Sequence, residues 1–328
     1  MYPAFKNWIR SHRDLPLKLN QWNNVVRWEF KNPTPFIRTR EFLWQEGHTA
    51  HATKEEADTE VRQILDFYAG AYEELLAVPM VKGTKSEKEK FAGADYTTTI
   101  EGFIPSTGRE LRQDYEDGKK LIPYQNSWGF TTRSLGVMIM IHGDDKGLVL
   151  PPRVAPLQVI VVPIPFKDKD EVDMIYSKAD EISKLLLKAG VRIEVDTRRD
   201  IAKEQVRVVR RDNGAKADIP IAELTTKIPE LLEQIQSDML ERARQERDSR
   251  IKKVTEWKDF VNALQESCMV LTPFCNETEW EEVNTATSAA AKTLCIPFEH
   301  NVDPIADDLK CFVSGKPAKC WILWGRSY

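Results

Sequence analysis

The sequence predicts an α+β chain in three blocks, 1–152, 153–250 and 251–328, and three patterns carry that expectation. The first block sets short β-type runs around one long helical pattern, the arrangement of a mostly antiparallel sheet backed by helices. The second opens as strand, amphipathic helix, strand, an α/β pattern. The third, read as a small α/β domain, ends on the apolar run Cys320-Trp-Ile-Leu-Trp324, which reads as a docked strand.

In chain order, Val25–Phe30 and Phe36–Trp44 are the first strand-like runs, joined through a turn at Pro33 and Pro35. Thr53 is the candidate N-cap of a helix over Lys54–Leu76, where Ala57, Val61, Ile64, Leu65, Tyr68 and Tyr72 recur at helical spacing. Tyr96–Ile104 and Gly136–His142 read as further strands. Leu150-Pro-Pro-Arg153 reads as a linker, because consecutive prolines end regular structure and stiffen the chain. Leu157–Pro163 is then a strand whose unbroken apolar character predicts burial on both faces. Asp170–Ala189 is a helix with Val172, Ile175, Ala179, Ile182 and Leu186 on one face, closed by Gly190, and Val191–Val195 completes the βαβ unit. Gln205–Arg210 is another strand, with a hairpin-type turn at Asp212-Asn-Gly214. The helical stretch Glu223–Lys253 is interrupted or restarted at Pro229, and Trp257–Leu264 is the last helix.

Composition narrows the class. The 47 Lys and Arg against 51 Asp and Glu give a net charge of −4, which excludes a uniformly basic nucleic-acid coat and leaves room for a local basic patch. No apolar run approaches the ~20 residues that a membrane span needs, and the N-terminus carries no signal-peptide pattern. Five cysteines confined to the last quarter argue against a disulfide scaffold and for a reduced, cytoplasmic setting.

The chemistry concentrates in Arg27–His48. Here Arg27, Glu29, Arg38 and Arg40 are expected to meet across a hairpin, with Arg38, Arg40 and Phe42 on one strand face. An ordinary hairpin of this kind is a solvated face of cross-strand ion pairs. Phe42 and Trp44 interleaved with the arginines shift the reading. An aromatic plane beside forked guanidinium donors is what holds a nucleotide's base and phosphates.

Arg27-x-Glu29, a loop, then Arg38-x-x-x-Phe42 resembles motif 2 of class II aminoacyl-tRNA synthetases. The extension Trp44-Gln-Glu-Gly-His48 is similar to that of prolyl-tRNA synthetases of the eukaryotic/archaeal type. Further matches follow in family order at Lys88-Glu-Lys-Phe-Ala-Gly-Ala, Asn126-Ser-Trp-Gly-Phe-Thr-Thr-Arg133, His142-Gly-Asp-Asp-Lys-Gly-Leu-Val-Leu-Pro-Pro-Arg153 and Gly325-Arg-Ser-Tyr328. The resemblance implies a ligase that makes prolyl-adenylate from L-proline and ATP, with Mg²⁺, and charges tRNA(Pro) as a homodimer. It implies that Arg27 grips the α-phosphate and the substrate carboxylate, and that Glu29 accepts from the adenine amino group. Phe42 would stack under the ring and Arg133 would cover its other side, with Arg38, Thr39 and Thr131 completing the ATP site. Trp44, Glu46, His48, Phe91, Ser127 and Trp128, with Arg27, would form the proline pocket. It further implies that 153–250 is an anticodon-binding domain. That domain's candidate contact strip at 198–216 holds Arg198, Arg199, Lys203, Arg207, Arg210, Arg211 and Lys216 against three acidic residues.

The sequence also departs from the family pattern. Motif 1 is absent, Glu110-Leu-Arg-Gln follows Gly108-Arg109 where a Gly/Thr/Ser/His-rich segment is expected, and Ile201-Ala-Lys-Glu follows Asp200 where a Trp/Tyr-rich stretch is expected. The expectation is therefore an incomplete catalytic domain whose missing pieces are flexible loops. The rival is a catalytically inactive, synthetase-like tRNA-binding or regulatory protein. In the third block Cys275 and Cys311 occupy two of the four places at which some relatives hold zinc, so packing cysteines and no metal are expected. The family's tail folds back toward the catalytic domain, which for Tyr328 stands against a merely docked terminus.

Overall fold

The computed structural model describes residues 2–28, 31–104, 109–111, 116–118, 123–163, 169–195, 205–281, 291–299 and 302–327. In chain order its elements are α1 (Tyr2–Trp8), β1 (Leu17–Val26), β2 (Glu41–His51), α2 (Lys54–Gly70), β3 (Val81–Thr84), β4 (Thr98–Ile104), β5 (Arg109–Leu111), β6 (Glu116–Gly118), β7 (Tyr124–Thr131) and α3 (Arg133–His142). There follow β8 (Val159–Val161), α4 (Lys169–Lys188), β9 (Ile193–Val195), β10 (Gln205–Val209), β11 (Lys216–Pro220), α5 (Leu224–Ser249), β12 (Ile251–Lys253), α6 (Trp257–Gln265), β13 (Met269–Phe274), β14 (Lys292–Pro297) and β15 (Cys320–Ser327). They gather into two units, one of Met1–Glu74, Val78–Ile141 and Ala243–Tyr328, the other of Leu75–Ala77 and His142–Arg242.

In the first unit, among the described residues, one sheet runs β1-β2-β7-β6 and a seven-stranded sheet runs β12-β13-β15-β14-β3-β4-β5. The block 251–328, read from sequence as a domain of its own, thus shares a sheet with β3–β5. The join is the antiparallel pairing of β14 with β3, at Ile296 with Thr84 and Pro297 with Gly83. Gly83 is required there, because a β-carbon would lie 2.6 Å from the Ile296 carbonyl oxygen. Trp324 of β15 is fully buried among Phe260, Phe274 and Phe312, and its indole N–H donates to Thr272 Oγ1 at 2.9 Å. The last described residues of β15, Arg326 and Ser327, pair in parallel with Arg109 and Glu110, so the strand does return to the first block. Tyr328 lies outside the described residues.

Thr53 caps α2 as expected: its hydroxyl accepts from the Glu56 N–H while Glu56 reaches back to the Thr53 N–H. Three strand expectations fail in whole or in part. The first strand, β1, runs Leu17–Val26, so of the expected Val25–Phe30 only Val25 and Val26 are in it, Arg27 and Trp28 are not, and residues 29 and 30 lie outside the described residues. Gly136–His142 belongs to helix α3, because seven apolar residues in a row carry no period that separates strand from buried helix. Residues 34–38 form a turn closed by the Thr34 and Arg38 backbones, with Phe36 at φ 60°, and β2 begins only at Glu41. Pro33 and Pro35 lack the N–H groups that a longer ladder would use.

In the second unit β8 and β9 pair in parallel around α4, giving the expected βαβ unit. Its first strand is not covered on both faces, since Ile160 is 57% exposed. Helix α5 runs unbroken through Pro229, which stands in its second turn, so the expected interruption there does not occur. The Pro151-Pro152 segment is a buried turn rather than a linker: Arg192 donates to the Pro152 and Arg153 carbonyls at 2.8 and 3.2 Å.

Candidate active site

Strand β2 has two unlike faces. Gln45, Gly47, Thr49 and His51 are buried toward α2, while Phe42, Trp44, Glu46 and His48 are half-buried on the opposite face. On that open face the neighbours across β7 are Thr131, Gly129 and Ser127, opposite Trp44, Glu46 and His48. At a rise of ~3.4 Å per residue, Phe42 to His48 makes a row of about 20 Å.

One end of the row is cationic and aromatic. The Arg27 guanidinium carbon lies 5.8 Å from the Phe42 ring centre and 5.3 Å from that of Trp44, and the two rings meet edge to face at 6.0 Å. Arg27 follows β1, where its N–H donates to the Arg40 carbonyl at 2.7 Å, and Arg40 itself stacks over Trp28 at 4.3 Å. Arg38 therefore closes the turn, and Thr39 and Arg40 lie between it and β2, rather than on a strand beside Phe42. Glu29 lies outside the described residues. Arg133 opens α3. Its N–H donates to Thr131 Oγ1 at 3.2 Å and its Nε to the Ile37 carbonyl at 2.8 Å. The close seat of Gly136 on Phe36 and Ile37 allows that approach, since a β-carbon there would lie 2.7 Å from Phe36 Cβ.

The other end is polar. The Glu46 carboxylate accepts from Gln21 Nε2 at 2.6 Å and pairs with His48 Nε2 at 2.8 Å, and Trp44 donates its indole N–H to Asn23 Oδ1 at 2.6 Å. Ser127 stands opposite His48. Trp128 is set apart: it pairs with Gly47 and its ring fills the space where a Gly47 β-carbon would stand, on the α2 side. Phe91 sits in the turn between β3 and β4, half exposed, its N–H held by Thr97 Oγ1 at 2.9 Å. Gln21 and Asn23 are the side chains that the sequence reading missed. Their signal was the concentration of Asn20, Gln21, Asn23 and Asn24 around Trp22 inside a strand, where Asn is disfavoured.

Behind the row, Glu60 of α2 binds the sheet together. Its carboxylate takes Thr49 Oγ1, His51 Nε2 at 2.8 Å, Asn126 Nδ2 at 3.1 Å and Lys18 Nζ at 2.9 Å, so it touches β1, β2 and β7 at once. Burial pushes this carboxyl up, but the hydrogen bonds outweigh burial and hold it at about 2, down from 4.5. A depressed carboxylate stabilises the fold above its unfolded pKa and loses that contribution as pH falls through the folded one. The stability difference between wild type and Glu60→Gln, measured by urea unfolding, should therefore be constant from neutral pH down to ~5 and shrink steadily as pH falls from about 4.5 through about 2. A difference that is as large at pH 2 as at neutral pH would contradict this.

Three arginines of the 198–216 strip are engaged within their own unit. Arg207 forks onto Asp218, Arg210 onto Asp212 and Asp238, and Arg211 onto Asp144 at 2.7 Å. Lys216 is exposed, and Arg198, Arg199 and Lys203 lie outside the described residues. Cys275 and Cys311 are buried in one core cluster against which Cys320 packs, with Ser314 Oγ donating to Cys275 Sγ at 3.5 Å. Burial pushes the Cys320 thiol up to about 12. Among the described residues, no three His, Cys, Asp or Glu side chains are arranged to hold a metal, and no helix is long and apolar enough to cross a membrane.

Residues 1–113 match the family model "tRNA synthetase class II core domain (G, H, P, S and T)", and residues 257–328 match "Prolyl-tRNA synthetase, C-terminal". The chain is 50% identical to "Proline--tRNA ligase, cytoplasmic" of Arabidopsis thaliana, over 100% of this chain and 70% of that protein. It is 46% identical to the "Bifunctional glutamate/proline--tRNA ligase" of Drosophila melanogaster, of which it spans 23%. The crystal structure of prolyl-tRNA synthetase from Cryptosporidium parvum complexed with L-proline and AMP superposes with a TM-score of 0.92 at 46% identity. That match covers 100% of this chain and 76% of the other.

Proposed function

Because the chain belongs to the prolyl-tRNA synthetases, class II aminoacyl-tRNA synthetases, we propose that it joins L-proline to ATP as prolyl-adenylate and passes the prolyl group to tRNA(Pro). The observation that carries this reading is the row Phe42, Trp44, Glu46, His48 with the Arg27 guanidinium over its aromatic end.

In this reading a proline carboxylate oxygen attacks the α-phosphorus of ATP in line, the bond from that phosphorus to the bridging oxygen breaks, and pyrophosphate leaves. A ribose hydroxyl of the tRNA terminus then attacks the prolyl carbonyl, loses its proton and expels AMP. Neither step needs a protein nucleophile, so catalysis is positioning and charge stabilisation. Arg27 faces the α-phosphate and the carboxylate, where negative charge gathers. Phe42 and Arg133 hold the adenine, while Arg38, Thr39 and Thr131 line the nucleotide, and Glu29 is assigned to the adenine amino group from family position alone. Glu46, already a double acceptor, takes the proline ammonium, with Trp44, His48, Ser127 and Phe91 as walls. Trp128, on the far face, supports Gly47 rather than touching proline.

Mg²⁺ enters this reading as the ion that ATP carries, held by phosphate oxygens and water rather than by a protein cage, and no step is derived through it. Homodimer assembly is part of the proposal, supported by Trp22, Val26 and Leu43, an exposed apolar strip on the back of the β1–β2 hairpin. The second unit is assigned to the tRNA, and the cytoplasm to the enzyme as for its Arabidopsis relative. The test is ATP–pyrophosphate exchange by the full chain: it should require L-proline and be absent with alanine. Exchange absent with proline overturns the assignment.

A further inference from the structure

The turn between β3 and β4 carries Phe91 and is closed on itself by its own hydrogen bonds. Lys85 N–H donates to the Thr97 carbonyl at 2.8 Å, Lys90 N–H to the Ser86 carbonyl at 2.9 Å, and Phe91 N–H to Thr97 Oγ1 at 2.9 Å. Beside the Tyr96 hydroxyl bond to Asp58 at 2.7 Å and the Lys85–Glu101 pair, it has anchors from about two hundred residues away in sequence. Ser86 Oγ donates to Glu281 Oε2 at 2.6 Å and the Lys88 N–H donates to the same oxygen at 3.3 Å. Thr293 Oγ1 lies 3.0 Å from Ser86 Oγ, and Lys85 Nζ donates to the Leu294 carbonyl at 2.7 Å.

Glu281 is only 5% exposed, and its Oε1 finds no hydrogen-bond partner among the described residues. A buried acid is costly unless it does something, and here one of its oxygens is the acceptor for both groups that lead into the Phe91 turn. We propose that Glu281 is a positioning residue for the amino-acid site: it fixes the Ser86–Lys88 entry of the turn and so sets where Phe91 stands. This rests on the proline-site reading above, and it gives the C-terminal block a part in selecting the amino acid.

The experiment is steady-state exchange on the full chain with three variants. Glu281→Met keeps the length of the side chain and removes the acceptor. Ser86→Ala removes one donor from the other side, and also covers a failure of Glu281→Met to fold. Glu281→Gln retains one acceptor oxygen where Oε2 stands and puts its NH₂ at the unpartnered position. The KM for proline should rise ~10-fold in Glu281→Met and less in Ser86→Ala, with kcat and the KM for ATP within about twofold. Glu281→Gln should restore the proline KM to within about threefold of wild type. A merely structural role would reduce the active fraction, lowering kcat while leaving both KM values alone. That outcome, equal movement of the two KM values, or an unchanged proline KM in both acceptor and donor variants, overturns the positioning role. If wild type itself exchanges with no dependence on proline, the proline-site reading fails, and this inference with it.

Discussion

Arg27→Ala should lower kcat for proline-dependent exchange by ~10²–10³-fold, the usual effect of removing one fixed donor from a developing negative charge. Stability should hold to within ~0.5 kcal/mol, because Arg27 is exposed and, among the described residues, its side chain rests on the Phe42 and Trp44 rings. Arg27→Lys should recover little. A lysine offers one point charge where two substrate groups, phosphate and carboxylate, need forked donors in a plane. Exchange kinetics beside a thermal melt separate the two effects, and near-normal exchange in Arg27→Ala would remove the residue from the chemistry.

The second large effect is on folding. Lys85 and Glu101 form an ion pair whose side chains are 1% and 0% exposed, with Thr99 Oγ1 donating to the same carboxylate at 2.8 Å. Lys85→Met strands Glu101 as an uncompensated buried charge and should cost ~3–5 kcal/mol. Removing both charges, Lys85→Met with Glu101→Leu, should return much of that loss, since a buried pair contributes little beyond an apolar pair of similar shape. Urea unfolding followed by tryptophan fluorescence measures both. A single variant within about 1 kcal/mol of wild type would mean that water or another cation reaches Glu101.

How much of this was legible in sequence depends on how local its cause is. Helix α2 was legible because Thr53, Glu56 and the apolar period all act within a few residues. Strand alternation in the sequence puts Arg38, Arg40 and Phe42 on one face, whereas Trp44, Glu46 and His48 enter as a proline pocket only through the family resemblance; in β2 it is Phe42, Trp44, Glu46 and His48 that share a face, because the strand begins only at Glu41. Helix α3 was misread because its apolar run lacks a period, and what decides it is the seat of Gly136 against Phe36 and Ile37, about a hundred residues away in sequence. Trp128 was placed with the proline residues by its motif, but its direction is set by register against Gly47, which no neighbouring residue announces. The Lys85, Ser86 and Glu281 network was invisible, since an isolated Glu in a sequence says nothing of a serine 195 positions away.

The strand order of the large sheet also bears on how the chain is made. Strand β15 lies between β13 and β14, and through β14 it is tied to β3 and β4, yet it is synthesised about 200 residues after them. Until it emerges from the ribosome, β13 and β14 lack their common neighbour and expose edges open to wrong pairing. The first unit therefore closes cooperatively and late. A nascent chain stalled short of Cys320 is a ready client for chaperones and proteases, while the core around the βαβ unit, which also takes Leu224, Ile228 and Leu232 of α5, is complete well before Cys320 and can condense ahead of it.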